Sequence, residues 1–190
     1  MRWAQAGGPC LAGLMALAMT ARAADAEPFD PAGSRAGITV DLRVAGKVDG
    51  RFGRVEGELH PVGDGRWQVQ ARIDAAALKL DGPAWMQRST RSSRFLDVER
   101  HPRIEFVSAP VTRELLRDGG ELAGDLSLRG RTRPVGFRIE PSTCDTPGHA
   151  CPIRVRGTVS RRAFGMVSQR LWLRDEVGFE FQVRLRGSGS

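Results

Sequence analysis

The sequence predicts an all-β protein: an antiparallel sheet curled around a single apolar interior. Three observations predict it. From Gly37 onward, short segments alternate apolar and polar residues, with turn residues between them. In Val177-Gly178-Phe179-Glu180-Phe181-Gln182-Val183-Arg184-Leu185 every odd position is apolar and every even one is Gly, charged or amide. A strand places successive side chains on opposite faces, so this segment has one dry face and one wet face. Trp67, Val69, Ala71 and Ile73 repeat the pattern, as do Ile38, Val40, Leu42 and Val44. Many such strands with no long helix between them suggest an antiparallel sheet that curls around that interior.

Taken in order, the chain opens on an export signal. Arg2 supplies a short positive region, Leu11 to Met19 an apolar run, and Ala21-Arg22-Ala23 or Ala24-Asp25-Ala26 a small-x-small cleavage site. The run is shorter than the roughly 20 residues that span a bilayer. Cys10 precedes it, which is the wrong place for lipoprotein attachment. The expected division is a signal peptide over 1–23 with cleavage near Ala23 or Ala26, a loose lead-in over 24–36, a barrel over 37–186 and a flexible tail over 187–190.

Strands are expected near 37–45, 51–60, 66–74, 103–117 (bent or broken near Pro110), 120–129, 133–141, 152–160 and 176–186. Gly63-Asp64-Gly65 and Asp118-Gly119-Gly120 read as hairpin turns, and Gly130 to Pro134 connects Leu128 to Val135. The exception is 82–98. Pro83 suits the first turn of a helix. Ala84 to Arg91 can be helical, and Arg88, Arg91 and Arg94 recur every three residues. That stripe reads either as a solvated face or as an anion-facing lid at the barrel mouth.

Composition narrows the function classes. The formal charge is +7, and losing Arg2 and Arg22 leaves +5. A basic exported protein is drawn to anionic headgroups, and the alternative is an ordinary surface richer in Arg than in Glu. Nucleic acid fits poorly, because the arginines are scattered along outward strand positions instead of massed. Past the signal two cysteines remain, Cys144 and Cys151, bracketing a turn-rich loop. In an oxidising compartment this reads as one disulfide, contributing roughly 2–3 kcal/mol by loop closure. A metal site of both thiolates with His149 lacks a fourth ligand at a familiar spacing. A redox pair lacks Cys-x-x-Cys. No Gly-x-Ser-x-Gly, phosphate-binding loop, His-Glu-x-x-His or dinucleotide fingerprint occurs, and the three histidines are dispersed. No catalytic residue and no metal ligand is expected.

Four segments carry a resemblance to a known family. Phe95-Leu96-Asp97-Val98-Glu99, continuing through Pro102-Arg103-Ile104-Glu105-Phe106-Val107-Ser108, resembles the Phe-Phe-Asp-Val-Glu…Pro-x-Ile-x-Phe-x-Ser block of the YceI-like family. Gly124 to Val135 resembles its Gly-x-Leu-Thr-x-x-Gly-x-Thr-x-Pro-Val hairpin. Arg161-Arg162-Ala163-Phe164-Gly165-Met166 resembles its Arg-x-x-Phe-Gly-Met element, and Asp175-Glu176-Val177 its closing strand. The order is consistent from Gly37 to Leu185. The resemblance implies a lipocalin-like, extended antiparallel barrel with a helical segment near its mouth. It also implies a periplasmic protein binding a long isoprenoid, such as a polyprenyl phosphate or a ubiquinone-type lipid. Where many members carry Arg-Asp-x-His-Leu, this chain has Met86-Gln87-Arg88-Ser89-Thr90, without the acid or the imidazole.

The expectation is therefore a barrel of about eight strands that carries or sequesters an amphiphilic lipid without catalysis. A filled structural or stress-response barrel, and a lipid-acting hydrolase or isomerase, are the alternatives. Val40, Leu42, Trp67, Val69, Phe106, Leu126, Phe137, Phe179 and Phe181 are expected to face inward, with Phe106 and Phe137 favoured for ligand contact. Phe52, Phe95, Phe164 and Trp172 are core by default. Arg88, Arg91 and Arg94 are expected at the headgroup or the mouth, in transient contact with an anionic membrane surface. No cofactor is expected beyond a bound isoprenoid lipid or quinone.

Overall fold

The structure, a computed structural model, describes residues 25–44 and 46–187. The expected signal peptide over 1–23, and Ser188 to Ser190 of the expected tail, lie outside the described residues. In chain order the strands are β1 (Glu27–Pro28), β2 (Arg35–Leu42), β3 (Lys47–Arg51), β4 (Val55–Gly63), β5 (Arg66–Asp74), β6 (Lys79–Leu80), β7 (Arg103–Ser108), β8 (Gly120–Leu128), β9 (Arg131–Ile139), β10 (Ile153–Ser160) and β11 (Leu173–Val183). The helices are α1 (Ala84–Arg91) and α2 (Arg113–Asp118), and Ala75–Ala77 and Arg161–Phe164 are short 3₁₀ turns.

All eleven strands of the described residues join one antiparallel, strongly curled sheet in the order β1-β4-β5-β7-β8-β9-β10-β11-β2-β3-β6. The eight expected strands are present as β2, β4, β5 and β7 to β11. The other three are short: β1 and β6 have two residues each and β3 has five. Period-2 alternation needs several residues to be visible, so strands this short leave no pattern. The expected lead-in is not loose. Glu27 and Pro28 pair with Leu59 and Glu58 of β4, while Phe29 bridges Leu185 just past β11. Residues 27–30 thus link β4 to the end of β11 and help close the barrel wall.

Two other expectations are corrected. The segment 51–60 is not one strand. Phe52-Gly53-Arg54 forms a corner, because β3 pairs with β2 and β6 whereas β4 pairs with β1 and β5. The segment 103–117 is a strand only as far as Ser108. Beyond Pro110 it becomes α2, with Glu114 in its first turn and Arg117 in its last, the arrangement the helix dipole favours. Asp118-Gly119-Gly120 is accordingly a helix exit and not a hairpin. The positive φ of Gly119 (77°) serves as the C-terminal cap.

The strand directions give the barrel two distinct ends. Residues 38–42 of β2, Ile104, Leu128, Val159 and the start of β11 lie toward one end, beneath α1 and the 165–172 loop. Phe106, Leu122, Val155, Phe181 and Val183 lie toward the other, where α2 and the 142–151 loop sit. At that second end the core is densely aromatic. The Phe137 ring lies edge-on to Phe106, Phe179 and Phe181, with centroids 5.3, 6.2 and 5.7 Å away. Glycine makes room for it. A Cβ on Gly124 would lie 2.7 Å from the Phe106 ring, and one on Gly157 would lie 2.6 Å from that of Phe137.

Candidate functional site: a divided apolar barrel interior

Inward-facing side chains fill the aromatic end and leave the other end hollow. A cavity of about 570 Å³ lies there, within the range of about 300–1,000 Å³ typical of ligand pockets. Its walls are apolar residues of β2, β7, β8, β10 and β11, with Phe52 from the corner and Phe95 and Leu96 from the segment after α1. A second space of about 60 Å³ lies among the aromatic rings. Phe52, Ile104 and Phe179 line both, so these three side chains form the partition between them.

The lining of the large cavity shows where it opens. Trp85 of α1 and Trp172 of the 165–172 loop both face it, yet are 61% and 62% exposed. They stand at the mouth. Trp172 is therefore not core, contrary to its default reading. Helical geometry sets the lid. Trp85, Met86, Ser89 and Thr90 share one face of α1 and line the cavity, as residues three and four apart must. Gln87 staples the helix to the sheet edge: its side-chain oxygen accepts from the Leu80 N–H at 2.8 Å, and its amide donates to the Leu78 carbonyl. Arg129, in the β8–β9 turn, donates to the carbonyls of Ser93 and Gly165, tying the two lips of the mouth together.

Polar groups on this lining are few: Ser89 and Thr90 from the lid, Gln169 from the loop, and Arg161. The Thr90 hydroxyl donates back to the Met86 carbonyl at 3.0 Å, as hydroxyls in helices commonly do. Arg161 is only 2% exposed. Its guanidinium donates to the carbonyls of Met166 and Ser168 at 2.6 Å and of Arg174 at 3.0 Å, with a long contact of 3.5 Å to that of Leu173. Burial pushes this guanidinium down from the ordinary arginine range, with Asp175 opposing from a distance. No carboxylate lies within 4 Å of it among the described residues, and Asp175 itself pairs with Arg162. A cation whose charge has no direct counter-ion thus stands in the wall of an apolar cavity.

The residues singled out from sequence are spread over both halves. Val40, Leu42 and Phe179 line the large cavity. Val69, Phe106, Leu126, Phe137 and Phe181 line only the small space. Phe106 and Phe137, favoured for ligand contact, are thus packed against each other behind the partition. Trp67 is buried but lines neither space. Its ring carries the Arg113 guanidinium of α2 4.1 Å from its centroid, a cation–π contact. Arg88, Arg91 and Arg94 are exposed and line neither space. Arg88 and Arg91 lie on the side of α1 turned away from the cavity, so on this geometry they do not meet a headgroup held inside. Cys144 and Cys151 form a disulfide with Cα atoms 6.1 Å apart, at the end opposite the mouth. Sequence reading missed Arg161, Gln169, Trp85 and Trp172 as site residues. Arg161 carried a signal, since it opens the Arg-x-x-Phe-Gly-Met element.

Comparison with known proteins agrees with this architecture. A UPF0312 protein of Vibrio cholerae serotype O1 is 29% identical over 138 residues, covering 68% of this chain and 69% of that one. Among solved structures, BcnA of Burkholderia cenocepacia superposes with a TM-score of 0.66 at 17% identity, covering 82% of this chain and 98% of that one. A polyisoprenoid-binding domain from Saccharophagus degradans, implicated in plant cell wall breakdown, gives 0.62 at 11% identity, covering 83% and 95%. These two likenesses are likenesses of fold. The model of the YceI-like domain matches residues 28–185, and with that match over nearly all of the described barrel, the chain belongs to the YceI-like family.

Proposed function

We propose that this protein is a non-enzymatic periplasmic carrier or sequestering protein that holds a long-chain isoprenoid, or a similar amphiphilic lipid or quinone, in the mouth half of its barrel. The observation that carries this reading is the cavity of about 570 Å³, walled by apolar side chains and opening between Trp85 and Trp172. Burying a hydrocarbon chain there is favoured by roughly 25 cal/mol per Å² of apolar surface removed from water. The driving force is non-directional, so affinity needs few polar contacts. Those available, Ser89, Gln169 and Arg161, suit a head bearing carbonyl or anionic oxygens. The Saccharophagus degradans neighbour, described as polyisoprenoid-binding, supports the same ligand class. Among the described residues no carboxylate, imidazole or thiol lines the cavity, which favours carriage over hydrolysis or isomerisation. The hollow itself favours carriage over a filled structural barrel.

Native mass spectrometry after gentle purification tests the reading. A retained adduct with the mass of a lipid, exchangeable for an added isoprenoid, is the expected result. A bare mass that takes up neither an isoprenoid nor an apolar dye overturns it. Turnover of an offered lipid would replace the carrier with an enzyme.

A further inference from the structure

We propose that the mouth of the barrel docks on the surface of an anionic lipid bilayer, with Val44, Val167 and Leu171 entering the interface and the surrounding arginines meeting the headgroups. Two observations carry the proposal. First, among the described residues seven large apolar side chains are exposed, and five of them are at this end: Val44 (80%), Trp85, Val167, Leu171 (82%) and Trp172. Trp85 and Trp172 line the same opening. The Arg43 N–H donates to the Trp172 carbonyl at 2.9 Å, which sets Val44 beside the same lip. Burial accounts for none of these five, and an opening ringed by apolar tips is costly in water unless something covers it.

Second, two segments at this end carry charge of one sign only. No Asp or Glu occurs from Pro83 to Leu96, nor from Arg161 to Arg174. Arg88, Arg91 and Arg94 of the first segment and Arg170 and Arg174 of the second are exposed, as is Arg43 beside them. None of these six has a carboxylate within 4 Å among the described residues, although Arg162 of the second segment pairs with Asp175. The α1 arginines point away from the cavity, so their complement lies outside the protein. Aromatic and aliphatic tips flanked by six unpaired arginines match the chemical layering of a bilayer interface, apolar within and anionic at the rim. The docked orientation would place the mouth against the lipid phase. The inference rests on the carrier reading for its purpose but on separate residues for its evidence.

Vesicle co-sedimentation with phosphatidylglycerol-containing and pure phosphatidylcholine liposomes tests it, with lipid retention read by native mass spectrometry on the same preparations. Binding to the anionic vesicles is expected, with a blue shift of tryptophan emission and quenching by brominated acyl chains. Two variants separate the contributions. Arg88→Ser/Arg91→Ser/Arg94→Ser should weaken association at least about tenfold. Val44→Ser/Leu171→Ser, neither residue lining the cavity, should weaken it several-fold and abolish the acyl-chain quenching. Both variants should retain lipid as the parent does. Absence of binding to either vesicle, equal binding to both, or variants that bind like the parent overturns the docking proposal and leaves this face to a protein partner. Loss of lipid retention in the parent overturns the carrier reading instead, whatever the vesicles show.

Discussion

Arg161 links the loop at the mouth to the barrel wall. Its planar fork holds carbonyls of the 165–172 loop and of β11 at once, which a lysine's single ammonium cannot reproduce. Arg161→Gln should strand buried carbonyls, each unsatisfied group costing about 1–3 kcal/mol. We therefore expect a loss of about 3 kcal/mol in urea unfolding. Amide hydrogen exchange should rise over 166–173, and Arg161→Lys should recover only part of the loss. The residue was visible in sequence as the start of a family element, but its burial was not. In a basic chain an arginine reads as surface. What buries this one is the set of carbonyls up to 13 residues away, brought round it by the start of β11. The aromatic residues were legible for the opposite reason. Strict alternation placed Phe137, Phe179 and Phe181 on the inner face directly. Alternation is silent about position along the barrel axis, so it could not tell the packed Phe137 from the cavity-lining Phe179. Phe137→Ala should cost about 3–5 kcal/mol, read by thermal or urea unfolding, with lipid retention at low temperature unchanged.

The same contrast holds for whole elements. α1 was legible from Pro83, the break in alternation and the helix-forming run after it. α2 was not, because Pro110 and the Gly119-Gly120 pair are equally at home in a bent strand with a hairpin. The adjacent apolar pair Leu115-Leu116, which a strand would set on opposite faces, was the signal that favoured a helix. How each element is fastened decides its contribution. The lid α1 buries no residue completely and is held to β6 mainly through Gln87. Gln87→Leu should therefore cost only about 1 kcal/mol of stability while speeding lipid release several-fold, measured by stopped-flow transfer to acceptor vesicles. The disulfide loop sits at the other end. Replacing Cys144 and Cys151 together by Ser should lower stability by about 2–3 kcal/mol. Lipid affinity should stay within twofold of the parent, since neither cysteine lines either interior space.

At the scale of the molecule, the dominant fact is that the interior is divided. A curled sheet of this size can be filled by side chains or hold a ligand, and this one does each in a different half. The aromatic end supplies rigidity. The mouth end supplies volume, and three side chains separate them. The depth to which a hydrocarbon chain can reach is therefore set by Phe52, Ile104 and Phe179, and above all by Phe179, whose ring also stacks with Phe181 at 6.0 Å behind the partition. Truncating Phe179 should join the two spaces. In a series of single-chain isoprenoids of increasing length, the parent should reach its highest affinity at one length and gain nothing beyond it, since added carbons stay in water. Phe179→Ala should move that optimum to a longer chain, each newly buried methylene adding about 0.8 kcal/mol. Phe181→Ala, which enlarges only the inner space, should leave the optimum where it is. Phe179→Leu, a smaller perturbation of the core, should shift the optimum less and in the same direction, so the test survives if the alanine variant folds poorly. An unchanged optimum in both Phe179 variants would show that the chain never reaches the partition and that another feature of the mouth half sets its length.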